Sequence, residues 1–172
     1  MRYSTPALPR VTPTALLRLT IRNAAGQTAL LIAAEQGHAE CCRLLSDGGA
    51  NLEATDAALD VLDTDGVAKV GRTALLLACW KGRPEHTAVA RVLVERGADV
   101  RARGPWPGES CLHHAASSGS AELVAAVLLP RYVTQAEEGA IDEVLLGLRD
   151  EQRQSALHKC ALNTSGSLLL VP

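Results

Sequence analysis

Apolar residues in this chain recur at helical spacing inside a phrase that is itself repeated. Leu30, Ala33 and Ala34 sit at i, i+3 and i+4, one face of a helix. The phrase carrying them runs Gly26-Gln27-Thr28-Ala29-Leu30-Leu31-Ile32-Ala33-Ala34-Glu35-Gln36-Gly37-His38. It returns at Gly71–Gly82 and at Gly108–Gly119, and a shorter copy runs from Ser155 to Ala161. The first copy is followed by a second apolar stretch closing on Leu44-Leu45-Ser46-Asp47-Gly48-Gly49-Ala50-Asn51, and the next by one closing on Leu93-Val94-Glu95-Arg96-Gly97-Ala98-Asp99-Val100. Each unit therefore predicts a short helix, a tight turn and a second helix. Thr28 and Ser110 are N-cap residues, with a side-chain oxygen for an orphan amide. Gly37, Gly82 and Gly119 end first helices, and Gly49 and Gly97 end second helices, where a left-handed residue is cheap. No single unit can bury its own apolar face, so the units must stack.

These residues resemble the ankyrin repeat, G-x-T-P-L-H-x-A-A-x-x-G-H followed by a second helix ending in L-L and by G-A-D/N. The resemblance covers about residues 23 to 163. It implies an all-α solenoid of about four helix-turn-helix units, the last incomplete, with enlarged loops. The expected boundaries are an N-terminal extension at 1–22 and a repeat domain at 23–172. Within that domain, repeats fall at about 23–56, 68–102, 105–131 and 150–166. The signature Thr or Ser recurs at 28, 73, 110 and 155, wider than the family period of about 33. Insertions at 57–70 and 130–147, and Pro84-Glu85-His86 between the helices of the second unit, account for the excess. In the later insertion, Thr134-Gln135-Ala136-Glu137 reads as a capping box ahead of an extra helix. Leu31 and Leu76 stand where the family has its signature His, so looser hairpin anchoring is expected in those units. The fourth unit stops early: after Cys160-Ala161 come Asn163-Thr164-Ser165-Gly166, and its second helix reads as weak or missing.

Composition narrows the function classes. The chain has no Phe and 2% aromatic residues, which suits thin Ala/Leu layers and argues against a deep aromatic-lined cofactor pocket. Net charge is −2, giving no general attraction to nucleic acid or to acidic membranes. The charge is unevenly spread, since residues 35–70 carry eight acids against two bases and residues 71–110 seven bases against four acids. The acidic block reads as a solvated loop, with an electrostatic docking finger as the alternative. Five cysteines, Cys41, Cys42, Cys79, Cys111 and Cys160, form no framework spacing and suggest reduced thiols in the cytoplasm or nucleus. Cys79 and Cys160 are expected as core filler. No apolar run reaches the roughly 18 residues of a membrane span. The acid-free, Arg-bearing first 22 residues have transit-peptide composition, and mitochondrial import is the minor alternative.

Chemistry-bearing clusters are few. Cys111, His113 and His114, echoed by His158 and Cys160, lack the separated ligand pairs of a zinc site. His113 and His158 coincide with the family's structural His. His38 near Cys41 and Cys42 suggests a Cys–His nucleophile only by proximity in sequence. Asp63-Thr64-Asp65-Gly66 opens like a calcium loop but lacks the later ligands and closing Glu. No metal, cofactor or catalytic residue is therefore expected.

A binding surface is the reading that remains. The resemblance implies a concave recognition face built from hairpin tips and outward positions of the first helices. By offset these are Glu35 and Gln36, Trp80 and Lys81, Ser117 and Ser118, then Leu162 and Asn163. Trp80 stands out, because Trp is enriched at interface hot spots; the alternative is that it packs under the 57–70 loop. Trp106 lies near a stiff hairpin tip between two prolines, beside Arg101 and Arg103, where a capping role is the alternative. The expected function is a non-catalytic protein–protein interaction module: a scaffold, adaptor or regulator binding a protein partner. The alternative is the targeting or substrate-recognition part of a longer ligase- or kinase-type enzyme. A monomer is expected, with self-association through the incomplete last repeat as its rival.

Overall fold

The computed structural model describes residues 19–56, 71–104, 109–128, 147–150 and 152–168, with side chains in the last segment described as far as Leu162. The extension before residue 19, the 57–70 insertion, Trp106 and the 130–147 insertion (apart from Gly147) lie outside these residues.

Among the described residues seven helices follow one another: α1 (Ala29–Glu35), α2 (Ala39–Asp47), α3 (Ala74–Lys81), α4 (Pro84–Glu95), α5 (Cys111–Ser117), α6 (Ala121–Leu128) and α7 (Ala156–Leu168). Within each unit α1 packs on α2, α3 on α4 and α5 on α6. Between units the first helices form one layer, α1–α3–α5–α7, and the second helices another, α2–α4–α6. Local sequence explains the starts. Thr28 accepts from the Leu31 amide, Thr73 from the Leu76 amide, and Ser110 and His113 make a reciprocal capping box. Gly37, Gly82 and Gly119 take left-handed φ values of 80°, 61° and 71°, turning each first helix into its partner.

The core is a sheet of Leu and Ala between the layers. Leu30, Leu75 and Leu112 occupy the same place in successive units and are 2%, 1% and 2% exposed. Helix α3 lies between two first helices and is buried from Ala74 through Cys79. That explains why its sequence is apolar on nearly every side.

Several expectations need correction. Pro84-Glu85-His86 is not a loop insertion. Pro84 opens α4 at the first turn, where its missing N–H costs nothing, and the extra residues lengthen the helix. In the fourth unit the first helix, α7, runs on through Asn163–Gly166 to Leu168. Cys79 is buried as core filler, but Cys160 is exposed. Leu31 and Leu76 are buried, 0% and 1% exposed, and their units are tied together by other bonds. Arg22 donates to the Thr55 carbonyl at 2.6 Å, and Glu53 accepts from the Asp99 amide at 2.8 Å. Hairpin anchoring thus passes from a buried His to polar groups on the hairpins themselves.

In the third unit the buried His does the anchoring. His113 Nε2 donates to the Gln154 carbonyl of the next hairpin at 3.1 Å, while its Nδ1 accepts from the Ser110 hydroxyl at 2.8 Å and from the Ser110 amide at 3.3 Å. A carbonyl can only accept, which assigns the proton to Nε2.

Candidate functional site

The C-terminal ends of α3 and α5 enclose an open cleft of about 490 Å³ lined by Trp80, Lys81, Gly82, Glu109, His114, Ser117 and Ser118. Its size falls within the range of small binding pockets. At Gly82 the backbone comes so close to Ser118 that no side chain fits between them. A Cβ there would stand 2.6 Å from the Ser118 Cβ.

Trp80 forms one wall. It is 43% exposed, at the end of a helix whose preceding six residues are all buried. Two cations approach its ring, Lys81 Nζ at 4.9 Å and Arg72 Cζ at 5.2 Å from the centroid. Each such contact contributes about 0.5–1 kcal/mol at an exposed site. Both cations are held from behind. Lys81 lies 3.3 Å from Glu35 Oε1, and Glu35 in turn accepts from Gln27 Nε2 at 3.0 Å. Arg72 binds Asp56 with its amide, at 2.7 Å, and with its guanidinium Nε, at 2.8 Å. Both cations are thereby positioned against the indole.

The opposite wall is a chain of charge. Glu109 meets Lys159 Nζ at 2.8 Å and His114 Nδ1 at 3.4 Å, and Lys159 also meets the buried Asp150 at 3.2 Å. The Glu109 hydrogen bond raises the Lys159 pKa, keeping the ammonium charged. Burial lowers the His114 pKa, and the nearby Glu109 carboxylate only partly offsets this, so the ring is neutral at pH 7. Ser118 donates to the Ala115 carbonyl at 2.7 Å, which orients its hydroxyl at the rim.

Of the residues expected on the recognition face, Trp80, Lys81, Ser117 and Ser118 line this one cleft. Glu35 stands behind it through Lys81, and exposed Gln36 caps the end of α1. Arg101 and Arg103 are exposed but do not line it, and Arg103 donates to the Arg149 carbonyl at 3.2 Å, bridging two hairpins. Trp106 is outside the described residues. Sequence reasoning missed Glu109, His114 and Arg72 as neighbours of Trp80. His114 sits three and four residues before Ser117 and Ser118, so helical spacing alone could have placed it on their face.

The described residues contain no group of three or more His, Cys, Asp or Glu placed to hold a metal ion. Cys42 is buried, which pushes its thiol up to about 12, and neighbouring Cys41 adds to the shift. A thiol protonated at neutral pH is a poor nucleophile. No helix among the described residues is long and apolar enough to cross a membrane.

Comparison with known proteins agrees with the geometry. Residues 13–104 match the family described as ankyrin repeats (3 copies). The mouse (Mus musculus) protein fem-1 homolog A-like is 43% identical over 58 residues, 34% of this chain and 8% of that protein. This chain thus matches under a tenth of its curated relative's length. Helix pairs stacked in two layers, capped by Thr or Ser and turned by left-handed Gly, carry the same pattern past residue 104 to α6. The chain belongs to the ankyrin-repeat family.

Proposed function

We propose that this chain is a non-catalytic protein-interaction module that docks a protein partner in the cleft between α3 and α5. Ankyrin repeats are in general protein–protein interaction modules, and the reading for this chain rests on Trp80. It is a large aromatic side chain left 43% exposed and approached by two cations, beside hydroxyls, a carboxylate and an ammonium that can hydrogen-bond a backbone. An exposed Trp with a polar rim is the usual composition of a binding hot spot. The partner is a protein segment narrow enough to enter the cleft, and the module acts as a scaffold, adaptor or regulator. The free cysteines, three of them buried, favour a reducing compartment, cytoplasm or nucleus.

The test compares proximity labelling by the wild type with that by the Trp80→Ala/Lys81→Ala double variant, alongside circular dichroism of both. A partner lost by a still-helical variant supports the cleft. An unchanged partner set from a folded variant overturns it. A second reading, recognition part of a longer ligase- or kinase-type enzyme, draws on the small share, 8%, that the matched stretch occupies in its relative. It uses the same cleft and is separated by whether the captured partner is chemically modified in cells.

A further inference from the structure

Among the described residues, the first and last helices of the first-helix layer carry the two halves of the stack's own internal interface. Helix α7 leaves open the positions that every earlier first helix buries. Leu157 occupies the place of Leu30, Leu75 and Leu112, yet is 64% exposed. Cys160 and Ala161 are exposed too, while their counterparts Ala115 and Ala116 in α5 are buried. On α1 the complementary positions are open. Ala29 is exposed and Ile32 is 39% exposed, whereas Ala74 and Leu77 at the same places in α3 are 1% and 0%. Interior units bury both sets, one against the helix after and one against the helix before.

A second observation, in polar chemistry, matches the first. His158 repeats the first half of the His113 arrangement, with Nδ1 2.8 Å from the Ser155 hydroxyl and 3.3 Å from the Ser155 amide. His113 completes the arrangement by donating Nε2–H to the carbonyl of Gln154, one residue before the next unit's cap. The residue one before the first unit's cap is Gln27. Its hairpin is a twin of the one His113 binds. The Asn23 amide donates to the Gln27 carbonyl at 2.9 Å, as the Asp150 amide does to Gln154. The Gln27 amide returns to Asn23 Oδ1 at 2.9 Å, as the Gln154 amide does to Asp150 Oδ1 at 2.8 Å. Gly26 and Arg153 take the same left-handed place, at φ 73° and 59°.

We infer that the open face of α7 docks the first unit of a second copy of this chain, head to tail, with Leu157 packing against Ile32 and His158 Nε2 donating to the Gln27 carbonyl of that copy. The interface continues the α5–α7 packing already present in each chain. It is heterologous, so association is open-ended rather than closed at a dimer. This surface is separate from the Trp80 cleft, and the proposal does not depend on what that cleft binds. One helix docking on one unit gives a small interface of the transient kind, so association is sought up to about 1 mM protein.

Sedimentation of the full chain over that concentration range is the test, with Leu157→Glu blocking the tail and Ile32→Glu blocking the head. Both side chains are exposed, so both variants are expected to fold. The wild type should show average mass rising past two chains without a plateau. Each variant alone should stay a single chain, and an equimolar mixture should form a dimer and nothing larger, because the two remaining ends are blocked. A wild type that stays a single chain up to about 1 mM overturns the proposal. So does a single variant that still associates, which would mean a symmetric contact or another surface. If either Glu variant loses helicity, Ala161→Arg and Ala29→Arg block the same two faces from smaller exposed positions, and the same mixing rule decides. Association by wild type that His158→Phe leaves unchanged would overturn the assigned hydrogen bond.

Discussion

Replacing His113 with Leu gives the third unit the residue that the first two already have, and it should nonetheless destabilise the protein. His113 is 1% exposed and Ser110 is 0% exposed. The substitution leaves the Ser110 hydroxyl without its ring acceptor and the Gln154 carbonyl without its Nε2 donor. A buried polar group losing its partner costs about 1–3 kcal/mol. Gln154 is only partly buried and keeps the Asp150 amide bond, so its share lies at the low end. The Ser110 hydroxyl still accepts from the His113 backbone amide through the cap, which limits its loss as well. The added apolar contact of Leu, like that of Leu76 in the preceding unit, offsets part of this. A net loss of about 2 kcal/mol is expected, which for a chain of this size lowers Tm by about 4–8 °C. Thermal unfolding followed by circular dichroism at pH 7.5 measures it. The Ser110→Ala and His113→Leu double-mutant cycle isolates the pair, and a coupling of at least about 0.5 kcal/mol is expected for groups in contact. A Tm unchanged within 1 °C, together with zero coupling, would refute the claim that this His anchors the hairpin.

Three further outcomes follow from the same geometry. The His114 pKa is lowered by burial from the ordinary 6.5, so the unfolded chain binds its proton more readily. The associated stability is present above pH 6.5 and is lost as pH falls from there toward the depressed folded value; Tm should drop between pH 7.5 and 5.5, and His114→Gln should flatten that slope. An unchanged slope would assign the loss elsewhere. Gly82→Ala must hold a side chain at φ 61° and 2.6 Å from the Ser118 Cβ. It should lose about 2–3 kcal/mol by chemical denaturation, with Ser118→Gly restoring only the steric part; full rescue would mean that the left-handed backbone costs nothing. A short pulse of a maleimide on native protein should add two labels, at exposed Cys41 and Cys160, and spare buried Cys42, Cys79 and Cys111. Mass spectrometry finding a buried thiol labelled as fast would show that the stack opens readily.

The repeated phrase determined the fold class by itself, because every part of it acts locally. A Thr or Ser cap, an i, i+3, i+4 apolar face and a left-handed Gly each have a meaning within one turn of helix, and their recurrence demands stacking. The same offsets put Trp80, Lys81, Ser117 and Ser118 on one expected face, and the structure brings those four to one cleft. What sequence could not decide was anything set by packing between units. Pro84 reads as a loop residue and opens a helix, since proline fits both places. Asn163–Gly166 has weak helix propensity yet continues α7. Cys160 has the composition of core filler and is exposed, although its counterpart Ala115 in α5 is buried. The Glu109–Lys159 and Arg72–Asp56 pairs join residues distant in the chain. Only the stacking of one unit on the next brings such side chains together, and so only the tertiary structure could fix the electrostatics of the cleft.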